Sequence, residues 1–193
     1  MVKLSRVPTP DCLKSGTAKW TEEYLRAREK NPRHRFRWRK EKTCYPEIRQ
    51  KLMQMTGERC SYCDGFLNRE SRGTVDHFRP KETFPELAFD WYNLLAACDL
   101  CQSHKLSKFD ELLLKPDEQD YSFTRYYVLN YSSGAVEPAP FASAEDQARA
   151  STTLEMLGIN TEPRKRARLE QPAHFSRDKE ANLDDYCYRY FLS

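Results

Sequence analysis

Apolar positions fall in short, separated groups along the chain. Trp20, Tyr24 and Ala27 recur at spacings of four and three, and Glu22 and Glu23 lie near the start, where a helix dipole favours acid. A helix is therefore predicted over Thr17 to Lys30, ended by Pro32, after an extended lead-in (residues 1–16) punctuated by Pro8, Pro10 and Gly16. Ile48, Leu52 and Met55 mark one face of a second helix from Tyr45 to Met55, with Pro46 in its first turn and Gly57 beyond its end. Asp64-Gly65 signals a turn, Arg72 to Phe78 reads as a short strand, and Phe89 to Leu95 as a second strand or a buried connection. From Cys98 onward Cys101, Lys105 and Lys108 suit a helix with cations towards its end. The centre is thus predicted as strand, strand, helix.

Further on, Tyr121 to Asn130 and Ala135 to Val136 flank Ser132-Ser133-Gly134 as a hairpin. Ala144 to Leu157 is predicted helical and ended by Gly158; Thr161-Glu162-Pro163 starts another helix through Leu169 that Pro172 breaks. The tail from Asn182 concentrates Tyr186, Tyr188, Tyr190 and Phe191, which suits docking onto the core or onto a partner. The pattern as a whole is α+β.

Composition adds a constraint. At 193 residues, with 39% hydrophobic and 32% charged positions and a mean hydropathy of -0.87, the chain is polar for a self-contained globule. Either the core is small or a bound metal replaces part of it. No apolar run approaches the roughly 20 residues that cross a bilayer, and MVKLSRVPTP lacks a signal-peptide apolar region, so a cytoplasmic protein with no membrane contact is expected. Seven cysteines, four of them at metal spacing, argue for a reducing compartment. Cys12, Cys44 and Cys187 are left over and read as buried or idle thiols. The net charge of +3 conceals an asymmetry: through Thr56 there are 15 Lys and Arg against 6 Asp and Glu. A basic leading third points modestly to a polyanion.

The chemistry-bearing residues lie between Cys60 and Lys105. Cys60-x-x-Cys63 and Cys98-x-x-Cys101 each place two sulfurs on one chelating turn, the donor set of a closed, structural Zn2+ site. The gap between the knuckles is longer than in a zinc ribbon and leaves room for an inserted motif. That insert carries Asp76, His77 and Asn93, residue types that bind a hard cation or move a proton. Upstream, Phe36 and Trp38 alternate with Arg35, Arg37 and Arg39. Such a run either tracks a nucleic-acid strand, with arginines on phosphates and rings on bases, or is a solvated basic element whose aromatics pack inward.

The Asp-His of VDHFRPK, the Asn of WYNLL and the C-x-x-C-x-x-x-Lys of CDLCQSHK resemble the HNH endonucleases. The order of T-G-E-x-C-x-Y-C, H-F-R-P-K, W-x-N-L-L and the second knuckle is similar to the HNH nuclease subunit (PtuB-like) of Septu and retron-associated anti-phage systems. YSFTRYYVLNYSSGAVEP and LEMLGIN extend the likeness over most of the chain. The resemblance implies a ββα-metal core stapled by the four-cysteine zinc, with flanking helices and a small hairpin. It divides the chain into a basic helical region (1–56), the nuclease core (57–115) and a C-terminal hairpin and helical region (116–193).

It further implies His77 as general base, Asp76 as ligand of a catalytic Mg2+ or Mn2+, and Asn93 orienting the histidine or bracing its loop. Arg79, Lys81 and Lys105 are then placed to contact phosphate. Where the family has a His or Asn directly after the last cysteine, this chain has Gln102, with His104 two residues on as the alternative ligand. The implied function is phosphodiester hydrolysis in DNA by the effector of an anti-phage system, with an ABC/SMC-like (PtuA-like) ATPase partner. RNA cleavage, tRNA included, and a non-catalytic zinc-stapled binding module are the alternatives.

Overall fold

Residues 1–38, 44–67 and 73–192 are described by the computed structural model of the chain; Arg39, Lys40 and the predicted start of the first strand at Arg72 lie outside the described residues. Helix α1 spans Asp11–Lys30, six residues earlier than its apolar spacing suggested. Pro10, extended at ψ 140°, precedes it, where its missing N–H costs nothing. Gly16 is helical because the indole of Trp20 lies across it: a Cβ there would fall 2.4 Å from the ring.

Helix α2, Cys44–Thr56, buries Cys44, Ile48, Leu52, Met53 and Thr56. The Glu47 carboxylate accepts from the backbone N–H groups of Asp11 (2.7 Å) and Cys12 (3.4 Å), capping the dipole of α1 with a side chain from α2. That contact sets the two first turns side by side, and Cys12 and Cys44 form a disulfide with Cα atoms 5.5 Å apart. The expectation of idle thiols is therefore corrected for these two. Cys187 is buried.

Strand β1 (Thr74–His77) pairs antiparallel with β2 (Leu94–Ala97) in the register Thr74 to Ala97 through His77 to Leu94. The long connection between them contains two 3-10 turns, Pro85–Leu87 and Trp91–Asn93, which replace the early part of the predicted second strand. β2 is buried along its whole length and runs into α3, Asp99–Lys105, capped by the Cys98 sulfur. Leu94, Leu95, Ala96 and Ala97 are sealed between α2 and the rest of the core.

The C-terminal part supplies a short helix α4 (Phe123–Tyr126), the hairpin β3–β4 (Tyr127–Asn130 and Ala135–Pro138), and helices α5 (Ala144–Met156) and α6 (Glu162–Arg177). Ser143 caps α5 by accepting from the Asp146 N–H. α6 runs through Pro172, against the expected break. Beyond the proline, Phe175 packs edge-on to Tyr186 at 5.3 Å.

The aromatic tail docks on the core. Arg189 grips Asp64 through its backbone N–H and guanidinium (2.8 Å each), the Tyr190 hydroxyl donates to the Cys63 carbonyl, and the Tyr190 ring stacks on Phe123 at 4.8 Å. One cluster of buried residues thus runs from Met1 to Phe191. Among the described residues, no helix is long and apolar enough to cross a membrane.

Candidate active site and metal centre

The two knuckles meet because each is tied to β2 or α3. The Ser61 N–H donates to the Ala96 carbonyl (2.8 Å), and the Cys60 N–H to the Gly65 carbonyl (2.8 Å), which closes the first turn. Asp64 occupies the left-handed region at φ 63° to allow that turn, and its carboxylate is held by Arg189. Cys98 ends β2 and its sulfur accepts from the Cys101 N–H (3.4 Å), so the second knuckle is a helix N-terminus.

The ligand atoms of Cys60, Cys63, Cys98 and Cys101 all lie within 4.8 Å of one another, and all four residues are buried. A tetrahedral ion with 2.3 Å bonds to sulfur needs its sulfurs about 3.8 Å apart; Cys63 Sγ and Cys98 Sγ stand at 3.7 Å. Hydrogen bonds from the neighbouring cysteines lower the pKa of Cys98 and Cys63, whereas burial raises those of Cys60 and Cys101, so the cluster shares its protons until a metal displaces them. The cluster therefore fits a structural metal such as zinc. Sequence reasoning missed one element of it. Arg164, in helix α6, is buried and donates to Cys101 Sγ (3.1 Å) and Cys98 Sγ (3.4 Å). Burial works against its charge, but the sulfurs of Cys101, Cys63 and Cys98 outweigh it and raise its pKa. With a metal bound, this guanidinium would offset the negative charge that four thiolates leave in excess of a divalent ion.

The same hairpin and helix border a cavity of about 730 Å³ with Asp76, His77, Lys81, Gln102, Trp38 and Tyr45 among its walls. His77 is the last residue of β1 and buried. Its Nε2 stands 2.9 Å from the Ala88 carbonyl; a carbonyl only accepts, so Nε2 carries the proton and Nδ1 is left as the basic nitrogen. Burial, then the Lys81 ammonium, lower its pKa to about 4, so the ring is neutral at physiological pH.

Asn93 directs its hydrogen bonds to the backbone rather than to the imidazole. Its amide donates to the Arg79 (2.9 Å) and Leu87 (3.1 Å) carbonyls and its oxygen accepts from the Arg79 N–H (2.8 Å), which closes the connection between the strands. Because the next carbonyl, that of Ala88, holds His77, Asn93 positions the ring through the backbone.

Asp76 is buried beside it, its Oδ2 accepting from the Tyr62 hydroxyl (2.6 Å) and paired with Lys105 Nζ (3.1 Å). Burial raises its pKa, while the Lys105 ammonium and the Tyr62 hydroxyl pull it back down. Lys105, expected on phosphate, is fully buried and also donates to the His77 carbonyl (2.7 Å). Its register on α3 aims it under β1, so the expected phosphate contact is corrected to an internal strut.

Gln102 borders the cavity, its Oε1 accepting from the Thr74 hydroxyl at 2.9 Å. His104, two residues on, turns away and packs against Gly158, where a Cβ would come within 2.5 Å of its ring. Of the two candidate ligands only Gln102 shares the cavity with Asp76 and His77. One carboxylate and one amide oxygen suit a hard cation that keeps several waters and takes substrate oxygens. Among the described residues, the cysteine cluster is the group of three or more His, Cys, Asp or Glu side chains that could hold a metal.

The expected phosphate-binding residues separate. Lys81 lines the cavity and pairs with Glu82 at 3.1 Å. The Arg79 guanidinium lies against Phe84 and Phe109 and bonds Glu111 at 2.7 Å, engaged within the fold. Arg35 and Arg37 are exposed, whereas Phe36 turns inward onto Phe89 (5.2 Å) and Tyr24 (5.5 Å). Trp38 stacks on His77, centroids 5.5 Å apart and planes 17° apart, and Tyr45 leans on Trp38 at 5.3 Å. Tyr45 and Tyr62 carried no signal in sequence beyond a helix start and a position between two cysteines.

No protein-family model matches the chain. It is 35% identical over 106 residues to the Septu protein PtuB of Bacillus thuringiensis, a match covering 54% of this chain and 37% of that protein. A Septu protein PtuB of Bacillus mycoides is 34% identical over 76 residues, 32% of this chain and 26% of that protein. A retron Vc95 protein of Vibrio cholerae, described as a candidate HNH endonuclease, is 26% identical over 123 residues, 58% of this chain and 57% of its own length. The chain is thus related to PtuB and to a retron HNH endonuclease, and spans less than two thirds of the length of each relative.

Proposed function

We propose that the chain is a metal-dependent HNH endonuclease that hydrolyses phosphodiester bonds of DNA, as effector subunit of an anti-phage system working with an ABC/SMC-like ATPase. The observation that carries the chemistry is His77: a neutral imidazole on a cavity wall, with Nε2 committed to the Ala88 carbonyl and Nδ1 basic. A phosphodiester is already anionic, so attack on it needs a deprotonated nucleophile. In this reading His77 Nδ1 takes the proton from a water as its oxygen attacks phosphorus, and the ester oxygen opposite departs.

Asp76 and Gln102 are the residues that would hold a Mg2+ or Mn2+ ion, which when bound neutralises charge building on the phosphoryl and leaving oxygens. Lys105 and Tyr62 fix the Asp76 carboxylate, and Asn93 fixes the backbone on which His77 leans. Lys81, on the cavity wall, is the cation that would meet an incoming phosphate. The four cysteines, with Zn2+, would clamp hairpin to helix, and none of them lines the cavity. The ββα-metal reading rests on the order β1, β2, α3 and on the relatives' names.

The anti-phage role and the ATPase partner rest on likeness to PtuB alone. The test is plasmid cleavage by the purified chain with its co-expressed ATPase in magnesium. Nicking or linearisation is expected, and its loss in His77→Ala with zinc content unchanged. Full cutting by that variant would remove His77 as the base, and cleavage of tRNA in preference to plasmid would move the substrate to RNA.

A further inference from the structure

The run from Arg33 to Trp38 divides its labour in a way that alternation alone did not specify. Phe36 and Trp38 are both half-buried, but Phe36 lines the neighbouring hollow with its ring edge-on to Trp38 at 5.0 Å, whereas Trp38 forms a wall of the reaction cavity together with Tyr45, their rings 5.3 Å apart and inclined at 47°. A second hollow of about 540 Å³ is lined by Arg28, Arg33, His34, Arg35, Lys81 and Glu82. Lys81 and Glu82 line both hollows, so this largely basic trough adjoins the cavity that holds His77. Cations along an approach and two aromatic rings beside the reacting centre are the two ingredients of a single-strand track.

We propose that Trp38 and Tyr45 receive an unstacked nucleobase adjacent to the phosphate attacked at His77, and that the trough carries the strand leading to it. The site would then select an unpaired nucleotide, in a single strand, loop or gap, over an intact duplex. This rests on the phosphodiester reading of the cavity. The physical reason is that every base presents a π-face to a ring, but a base inside a duplex has both faces occupied by its neighbours and must first be unstacked. Trp38 is a positioning and selectivity residue here: its stacking on His77 places the base-binding ring directly against the proposed base.

The test uses binding without added magnesium, at fixed salt, to fluorescein-labelled 15-mers: single-stranded DNA, single-stranded RNA, the DNA duplex, and a DNA strand of abasic sites. Single strands are expected to bind about tenfold or more tighter than duplex, and Trp38→Ala to lose about tenfold on base-bearing strands but nothing on the abasic strand. Trp20 and Trp91 are buried, so base-bearing strands should quench tryptophan emission in the wild type and not in Trp38→Phe. The quench keeps the proposal testable if Trp38→Ala does not fold. Equal affinity for duplex and single strand, an equal loss on the abasic strand, or no quench would overturn it. Plasmid cleavage persisting alongside any of those results would leave the nuclease reading standing and remove only the stacking wall. Failure to bind any of the four would overturn the stacking wall as well.

Discussion

Replacing Lys105 with methionine separates a phosphate contact from an internal strut. The ammonium is fully buried, 3.1 Å from Asp76 Oδ2 and 2.7 Å from the His77 carbonyl. A surface lysine on phosphate would cost affinity and leave stability alone. Removing one partner of a buried ion pair strands the other, at about 3–5 kcal/mol, a large share of a domain's usual net stability. Lys105→Met should therefore lower the unfolding free energy of the zinc-loaded protein by that amount in urea titration at fixed free zinc. Asp76→Asn should also destabilise, since it leaves an ammonium with one carbonyl. The double variant Asp76→Asn/Lys105→Met should cost less than the sum of the singles, with a coupling of about 1–3 kcal/mol. A Lys105→Met protein within about 0.5 kcal/mol of wild type, or strictly additive singles, would refute the assignment.

Arg164→Met removes the guanidinium from Cys98 and Cys101, and zinc affinity should fall about 10- to 100-fold in competition with a chromophoric chelator; an unchanged affinity would show that the arginine plays no part in holding the metal. His77 is neutral when folded, with a pKa lowered from 6.5 to about 4, so between those values the unfolded chain binds the extra proton and stability rises with pH. Acidification from pH 6.5 to 4 should cost the wild type about 3 kcal/mol more than His77→Gln, measured by urea unfolding at each pH; parallel losses would contradict the buried neutral ring. The Cys12–Cys44 bridge closes a sequence separation of 32, for which chain entropy predicts about 3–4 kcal/mol. A phosphine reductant should lower the urea midpoint of the oxidised protein and leave Cys12→Ser/Cys44→Ser unaffected, whereas an equal response would argue against the bridge.

Spacing alone made the metal cluster legible, because C-x-x-C fixes two sulfurs on one turn whatever surrounds them. The same locality made β1 and the helix after Cys98 readable, since both are short and bounded by turn signals, whereas β2 begins only at Leu94, near the end of the stretch expected as a strand or buried connection. What failed to show was everything set by a distant partner. Asp11 to Gly16 looked extended, but Trp20 covers Gly16 and Glu47 caps the turn from another helix. Cys12 and Cys44 looked idle because nothing in sequence says that two first turns will meet. Lys105 resembled every other basic residue at a helix end, and only its position beneath β1 distinguishes it. Phe36 and Trp38, equivalent by alternation, both reach His77 and Phe89, but Phe36 meets the imidazole edge-on whereas Trp38 stacks on it, a difference that spacing does not encode.

Helix α3 shows how little chain is needed to couple the scaffold to the chemistry. A helix turns about 100° per residue, so neighbouring positions face different ways. Cys98 caps it and Cys101 follows one turn later, both on the metal side. Gln102, the next residue, faces the cavity. Lys105, one turn beyond Cys101, passes under β1 to fix Asp76 and the His77 carbonyl. A metal that pins the start of this helix therefore also sets the rotation of Gln102 and the reach of Lys105. Loss of zinc should accordingly abolish hydrolysis before the rest of the fold is lost, although no cysteine lines the cavity.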